Sequence, residues 1–142
     1  MLLEPDERDQ TPDRLRERLQ GQGATGSFDL VADGQGELLG WLSVDVLPYR
    51  RASRTGYLVM GVDAATTGRG IGRALLTAAL AEARRRGLRR VELTVMTDNL
   101  RAISLYLRSG FQVEGCRRQA VLRDALAIDE YYMAQLLEPQ AR

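Results

Sequence analysis

The chain has 142 residues, of which 44% are apolar, and this suffices for one domain with its own core, expected here over residues 1–142. It contains no histidine, and all 20 of its basic residues are arginine. These absences exclude a histidine-based triad, a histidine metal site, a Schiff-base lysine and a Walker-type phosphate loop, and no metal is expected. The formal net charge of +1 gives no indication of nucleic-acid binding.

Two further features of the sequence concern the cellular compartment of the protein. Cys116 is the single cysteine, so no internal disulfide can form, which is typical of proteins in a reducing environment. No apolar run approaches the roughly 18 residues of a membrane helix, and the acidic first residues do not resemble a signal peptide. We therefore expect a cytoplasmic protein without a membrane partner.

The first half of the chain is predicted to form a short helix and three strands. Thr11 is the N-cap and Pro12 the first residue of a helix that ends near Gln20. Strands are predicted at residues 27–32, 37–46 and 55–62, with a tight turn at residues 33–36 between the first two. The long apolar run of the third strand indicates burial on both of its faces.

The second half is predicted to alternate helices with strands. Apolar residues recur at helical spacing over residues 70–86, and Gly87 ends this helix behind a cationic last turn. Residues 90–97 alternate as a strand, and Asn99 caps a second helix that runs to Ser109. Two last strands are predicted at residues 111–116 and 128–136. This order of elements predicts a mixed α/β fold.

The segment Thr67-Gly68-Arg69-Gly70-Ile71-Gly72 joins a strand directly to a helix. The first turn of a helix offers free N–H groups and the positive end of the dipole, and glycines let backbone amides approach a pyrophosphate. Arg69 and Arg73 add positive charge; the alternative is a purely structural turn with solvated arginines, because short glycine motifs are common. A Walker loop needs a lysine, and a Rossmann G-x-G-x-x-G needs glycine where Arg73 stands, so both of these nucleotide motifs fail.

What remains, alternate glycines that lead into a long helix, resembles the acetyl-CoA-binding signature of the GNAT family, Arg/Gln-x-x-Gly-x-Gly/Ala. Gly70 and Gly72 match its glycines, whereas Thr67 stands in place of the usual arginine or glutamine. The resemblance implies that the cosubstrate acetyl-CoA binds to this loop, mainly through its amides. The implied binding residues are Thr67, Gly68, Arg69, Gly70, Ile71, Gly72 and Arg73.

Residues 99–111 resemble the second GNAT signature, N-x-x-A-x-x-L-Y-x-x-x-G-F, at every specified position. Asn99 and Tyr106 are seven residues apart, about two helical turns, and therefore share one face. By the resemblance, Asn99 contacts the pantetheine arm or an ordered water, and Tyr106 is the general acid that protonates the departing CoA thiolate; the usual pKa values of a phenol and a thiol are close enough for this. The structural alternatives are an N-cap for Asn99 and a core aromatic for Tyr106.

The resemblance also gives a role to the strand before the loop. Its amides at Met60, Gly61 and Val62 bind the pantetheine arm and polarise the thioester carbonyl. The general base stays open: Tyr57 stands where many relatives carry a carboxylate, and Glu92 on the next strand is the candidate catalytic residue. The alternative for Glu92 is a structural partner of an arginine. Asp129, Tyr131 and Tyr132 are expected on the acceptor side.

The resemblance covers residues 11–137 and implies a GNAT-like acyl-CoA N-acyltransferase fold, with a mostly antiparallel twisted sheet flanked by helices. The strand and helix with which relatives begin are not found in this sequence. Either the acceptor site is open, or a partner subunit covers it, or the protein begins upstream of Met1. An uncovered first strand favours a homodimer.

The implied activity is N-acetyl transfer from acetyl-CoA to a primary amine, of a small molecule or a protein N-terminus, by direct attack. A CoA-binding or sensing module with little or no turnover is the alternative, motivated by Thr67, by the unassigned base and by the missing first wall. A nucleotide-dependent oxidoreductase is disfavoured, because the dinucleotide motif fails. The acceptor itself does not follow from the fold.

Overall fold

The structure is a computed structural model that describes residues 26–66 and 68–138, so the predicted helix at residues 11–20 and Thr67 lie outside the described residues. The described part contains one sheet, whose strands are β1 (Phe28–Gly34), β2 (Glu37–Val46), β3 (Thr55–Val62), β4 (Arg90–Met96), β5 (Gln112–Arg123) and β6 (Leu126–Leu136). Its helices are α1 (Ile71–Arg85) and α2 (Leu100–Arg108), and single 3₁₀ turns lie at Arg50–Ala52 and Ala64–Thr66. The mixed α/β fold expected from the sequence is confirmed.

The strands follow the order β1-β2-β3-β4-β6-β5, and every neighbouring pair is antiparallel except β3 and β4, which are parallel. This parallel pair is short: it runs from Thr55 opposite Arg90 to Tyr57 opposite Glu92 and then ends. On its other side β4 pairs with β6 over its whole length. The sheet therefore opens between β3 and β4 at the carboxyl ends of both strands.

The hydrophobic core lies between one face of the sheet and the helices. The buried side chains of α1 recur at helical spacing: Leu75, Leu76, Ala79, Leu80 and Ala83. They form one cluster with Val91, Leu93 and Val95, the alternate residues of β4 expected on one face. Successive residues of a strand point to opposite faces, so Glu92, Thr94 and Met96 face away from this core.

Burial of β3 differs from the prediction. Gly56 and Leu58 are buried, but Tyr57 and the residues from Val59 to Val62 are only half-buried. The prediction of burial on both faces is wrong because the strand loses its β4 neighbour after Tyr57. Its second half therefore borders an opening in the sheet.

The last two strands are longer than the sequence predicts. The pairing between β5 and β6 extends beyond the predicted strand ends at Cys116 and Ile128. It reaches Arg123, which lies opposite Leu126. The turn between them is made by Asp124 and Ala125, with φ values of 51° and 64°. A two-residue turn with both residues left-handed suits a hairpin, although the glycine usual in such a turn is absent.

Candidate active site

A cavity of about 240 Å³ lies in the opening between β3 and β4; we call it the inner cavity. Its walls are Tyr57, Leu58, Val59 and Met60 of β3, Thr94, Val95 and Met96 of β4, and Asn99, Ala102 and Tyr106 at α2. Residues of both strand faces contribute, so the cavity extends through the sheet. Tyr106 stands on the side of the helices, and Tyr57 and Thr94 belong to the opposite face.

Tyr106 is a buried phenol in the wall of this cavity. Its side chain is 8% exposed, and its ring packs against that of Phe111 with centroids 5.8 Å apart. Burial, and after it the charge of the neighbouring Tyr57, raise the pKa of Tyr106 to about 12. The hydroxyl is therefore neutral at physiological pH and available as a hydrogen-bond donor.

A pair of hydroxyls lies where the two strands separate. The Tyr57 hydroxyl and the Thr94 Oγ1 are 2.9 Å apart, within hydrogen-bond distance, and they connect β3 to β4 just beyond their last backbone pairing. Among the described residues that line the inner cavity there is no carboxylate. Polar chemistry there depends on hydroxyls, on the Asn99 amide and on the backbone.

A larger cavity of about 760 Å³ lies beside the glycine loop; we call it the outer cavity. Its lining is Val62, Thr66, Gly68, Gly70, Ile71, Gly72 and Arg73, together with Arg101, Ser104, Leu105, Arg108 and Ser109. Gly68 and Gly70 have φ values of 88° and 78°, a left-handed conformation that favours glycine. Gly70 is the N-cap of α1 and offers no side chain to its first N–H groups. Free amides and three arginines make this cavity suited to phosphates.

The sequence model of the Acetyltransferase (GNAT) family matches residues 2–111, a span that includes the glycine loop and α2. The chain belongs to the GNAT acetyltransferase family. It is thus an acetyl-transferring enzyme by family, and GNAT enzymes use acetyl-CoA. 

Two curated relatives illustrate the range within this GNAT family. The L-amino acid N-acetyltransferase AaaT of Escherichia coli (strain K12) is 36% identical over 113 residues, which are 78% of this chain and 69% of that protein. The mycothiol acetyltransferase of Beutenbergia cavernae is 48% identical over 82 residues, which are 56% of this chain but only 26% of that longer protein.

Solved structures of GNAT proteins have the same fold. A GNAT acetyltransferase from Streptococcus pneumoniae superposes with a TM-score of 0.80 at 26% identity, covering 97% of this chain and 79% of that one. The Salmonella typhimurium protein yncA, solved with its cofactor acetyl-CoA, gives a TM-score of 0.84 at 24% identity, covering 96% of this chain and 79% of its own. At such identity the second likeness concerns the fold alone.

The expected cofactor-binding residues of this GNAT acetyltransferase divide between the two cavities. Met60, Asn99 and Tyr106 line the inner cavity. Val62, Gly68, Gly70, Ile71, Gly72 and Arg73 line the outer one. Gly61 and Arg69 line neither, and Thr67 lies outside the described residues.

Asn99 has a structural role as well as a place in the cavity wall. Its Oδ1 accepts a hydrogen bond of 3.2 Å from the Ala102 amide, which makes it the N-cap of α2. The carbonyl oxygen is therefore engaged by the helix, while the side-chain amide nitrogen keeps its own two N–H donors.

Glu92 is not brought into the site. Its carboxylate accepts a hydrogen bond of 2.9 Å from Arg90 Nε, and it lines neither cavity. Arg90 also binds Glu114, so the three side chains form one ionic cluster near the start of β4. This placement is that of the alternative, a structural partner of an arginine. A catalytic role for Glu92 stays a prediction.

The residues expected on the acceptor side also separate. Tyr131 is the partner of Val95 and packs against the core, whereas Tyr132 is the partner of Thr94 and is half exposed on the other face. Asp129 accepts a hydrogen bond of 2.7 Å from the Gln119 amide and so belongs to the β5–β6 hairpin.

Sequence reasoning missed the part of α2 that faces the outer cavity. Arg101, Ser104 and Arg108 follow the spacing i, i+3 and i+7, which puts them on one helical face. That periodicity was visible in the sequence. Among the described residues, no helix is long and apolar enough to span a membrane, and no cluster of three or more potential metal ligands occurs.

Proposed function

We propose that this enzyme transfers the acetyl group of acetyl-CoA to a primary amine by direct attack within a single domain, with Tyr106 as general acid. The observation that carries the proposal is the succession of the two cavities along β3 and α2. Met60 lines the inner cavity and Val62 the outer one, two residues apart on one strand. On α2, Ala102 lines the inner cavity and Leu105 the outer one. A ligand along this path would reach from phosphate-binding groups to the buried phenol.

The outer cavity suits the phosphates of acetyl-CoA. The N-terminus of α1 and the loop amides would receive the pyrophosphate, with Arg73 on one side. Arg101 and Arg108 supply further charge from α2. Gly72 lets the first turn of α1 lie close to the residues between the two cavities, because a Cβ at this position would lie 3.2 Å from Leu105 Cδ2 and 3.6 Å from Met60 Cε.

The free edge of β3 suits the pantetheine arm and the thioester. Met60, Gly61 and Val62 have no strand partner on the β4 side, so backbone groups on that edge need another partner. We propose that they bind the arm and that an N–H group there polarises the thioester carbonyl. A fixed donor aimed at the developing oxyanion costs no reorganisation during the reaction.

In the proposed step the amine nitrogen bonds to the carbonyl carbon, the C–S bond breaks and the sulfur leaves as a thiolate. A phenol whose pKa is about 12 is a weaker acid than a thiol of about 8.5, so complete proton transfer is uphill by roughly 5 kcal/mol. We infer that Tyr106 first stabilises the thiolate by donating a hydrogen bond, and that solvent replaces any proton it gives up. The amine loses its own proton to water, because no described carboxylate lines the inner cavity.

The Tyr106→Phe variant tests the proposal, with release of free CoA thiol across a panel of amines as the assay. Loss of a general acid lowers kcat by roughly 100- to 10,000-fold. Calorimetric affinity for acetyl-CoA should stay unchanged, because the ring and its packing against Phe111 remain. Tyr49→Phe is the matched control, since Tyr49 is 70% exposed and lines neither cavity. An unchanged kcat in Tyr106→Phe would contradict the proposed role of Tyr106.

A CoA-binding module without turnover is the second candidate. The lack of a carboxylate among the described residues of the inner cavity favours it. Binding of acetyl-CoA in calorimetry, together with no thiol release for any amine, would support this candidate. No binding at millimolar acetyl-CoA would contradict both candidates.

A further inference from the structure

The face of the sheet opposite α1 continues from the inner cavity onto β6. Thr94 is paired with Tyr132, and Met96 with Glu130. Thr94 and Met96 line the cavity, so the two β6 residues are their direct neighbours on the same face. An acceptor that enters the cavity from this side therefore passes over β6.

Arg117 extends from β5 onto this part of β6. Its Nη1 donates a hydrogen bond of 2.9 Å to Glu130 Oε1, and its guanidinium carbon lies 5.7 Å from the centre of the Tyr132 ring. Both partners belong to β6, so the guanidinium lies above that strand. Neighbouring strands are about 4.8 Å apart, so this cation is about one strand spacing from the β4 residues of the cavity wall.

The Arg117–Glu130 pair is incomplete in two respects. The Glu130 side chain is fully buried, yet its Oε2 has no hydrogen-bond partner among the described residues, a rare condition for a buried carboxylate oxygen. The Arg117 side chain is 38% exposed, and among the described residues only its Nη1 donates a hydrogen bond. A guanidinium has five N–H donors in a fixed fork, so donors remain for a further acceptor.

Two other arginines have more of their N–H donors engaged by carboxylates. Arg90 binds two carboxylates, those of Glu92 and Glu114. Arg123 binds both oxygens of Asp98 through its two terminal nitrogens. Arg117, in contrast, contacts one carboxylate oxygen of Glu130 and the ring of Tyr132. These two contacts order the guanidinium and leave most of its N–H donors available.

We propose that Arg117 binds a carboxylate of the acceptor, and that the acceptor is an amine carrying a carboxylate close to the reacting nitrogen, as in a free α-amino acid. Glu130 and Tyr132 are positioning residues for the guanidinium. The inference deepens the proposed amine acetylation and rests on it. Because the guanidinium lies about one strand spacing from the cavity wall, the amine and the carboxylate of the acceptor must be close together. A protein N-terminus, which has an amide at that place, lacks the group that Arg117 would bind.

The test compares free L-amino acids with the matching L-amino acid amides, by thiol release from the full chain with saturating acetyl-CoA. The wild type should favour the acids in kcat/KM by roughly 10- to 100-fold, the range of one charge-assisted hydrogen-bonded contact. The double variant Arg117→Gln with Glu130→Gln should lose this preference through KM for the acid. Its KM for acetyl-CoA and its activity on the amides should not change. Both positions are changed together, so that no buried carboxylate is left without its cation.

Two further variants separate charge recognition from structure. Glu130→Gln alone keeps Arg117 and an acceptor for its N–H group, and should keep the preference for acids. Arg118→Gln is the matched control, because Arg118 is exposed and contacts neither Glu130 nor Tyr132.

Three outcomes would overturn the inference. They are equal use of acids and amides by the wild type, a double variant that loses both to the same extent, or a preference lost already in Glu130→Gln. In each of these the amine is still acetylated, and the proposed function stands. Absence of thiol release with every acid and amide, in spite of acetyl-CoA binding, overturns the inference. The proposed function falls with it only if the wider panel of amines gives no thiol release either.

Discussion

The two edges of β4 are built in opposite ways. Towards β6 the strand is paired from Arg90 to Met96, and towards β3 the pairing ends at Glu92. On the paired side Leu93 lies opposite Met133, and both are 1% exposed. On the open side Thr94 and Met96 border a cavity.

This contrast separates stability from function within one strand. Complete pairing satisfies the backbone N–H and C=O groups and brings apolar side chains into the core. Where pairing stops, backbone groups are left for a ligand, and the side chains that follow form the walls of a cavity. A change at the paired edge should therefore affect unfolding, and one at the open edge should affect acetyl transfer.

The largest expected effect is on the paired edge. Met133→Ala removes a side chain that is 1% exposed, and we expect the free energy of unfolding to fall by about 2–5 kcal/mol. Urea unfolding measures it. Leu136→Ala, at a position 74% exposed on the same strand, is the control and should change stability little. The activity per folded molecule should equal that of the wild type. A large loss of kcat in folded Met133→Ala would contradict the idea that the paired edge serves stability and the open edge serves acetyl transfer.

The open edge is tested by filling the inner cavity. Ala102 is half-buried and lines this cavity of about 240 Å³, so the ring of Ala102→Phe would occupy the space proposed for the thioester. We expect kcat/KM to fall by roughly 100-fold, about 2.7 kcal/mol, with a smaller change in unfolding free energy. Ala78→Phe, on the exposed side of α1, is the control. Full activity in Ala102→Phe would show that the reaction does not use the inner cavity.

The elements around this opening were predictable because each is encoded locally. The bounds of β2 and β3 match the prediction, as do the cap at Asn99 and the alternation of Val91, Leu93 and Val95. Periodicity and cap residues depend on neighbours in sequence, and these are visible in the chain itself.

What the sequence did not predict depends on contacts between distant segments. Glu92 has the residue type of a catalytic base, but its carboxylate is bound by Arg90, which also binds Glu114. Thr94 belongs to no conspicuous motif, and only the pairing of β3 with β4 brings it to Tyr57. The left-handed turn at Asp124 and Ala125 is likewise imposed by hairpin pairing rather than by turn residues.

The smallest expected effect is on the pH dependence of the free energy of unfolding. It tests whether the environment of Tyr106, beside the open edge of β4, is apolar. Its pKa in the folded protein is about 12, above the usual value of about 10 for an exposed tyrosine. Its contribution to stability is therefore fully present below pH 10 and is lost as the pH rises through 12, because the unfolded chain ionises first. By pH 11 the wild type should have lost about 1.3 kcal/mol more than Tyr106→Phe, relative to pH 9. The chain has no lysine, and its four other tyrosines are present in both proteins, so the difference between the two pH profiles reports on Tyr106. Urea unfolding at pH 9, 10 and 11 measures the difference, and parallel pH profiles for the two proteins would mean that Tyr106 ionises as freely as an exposed tyrosine.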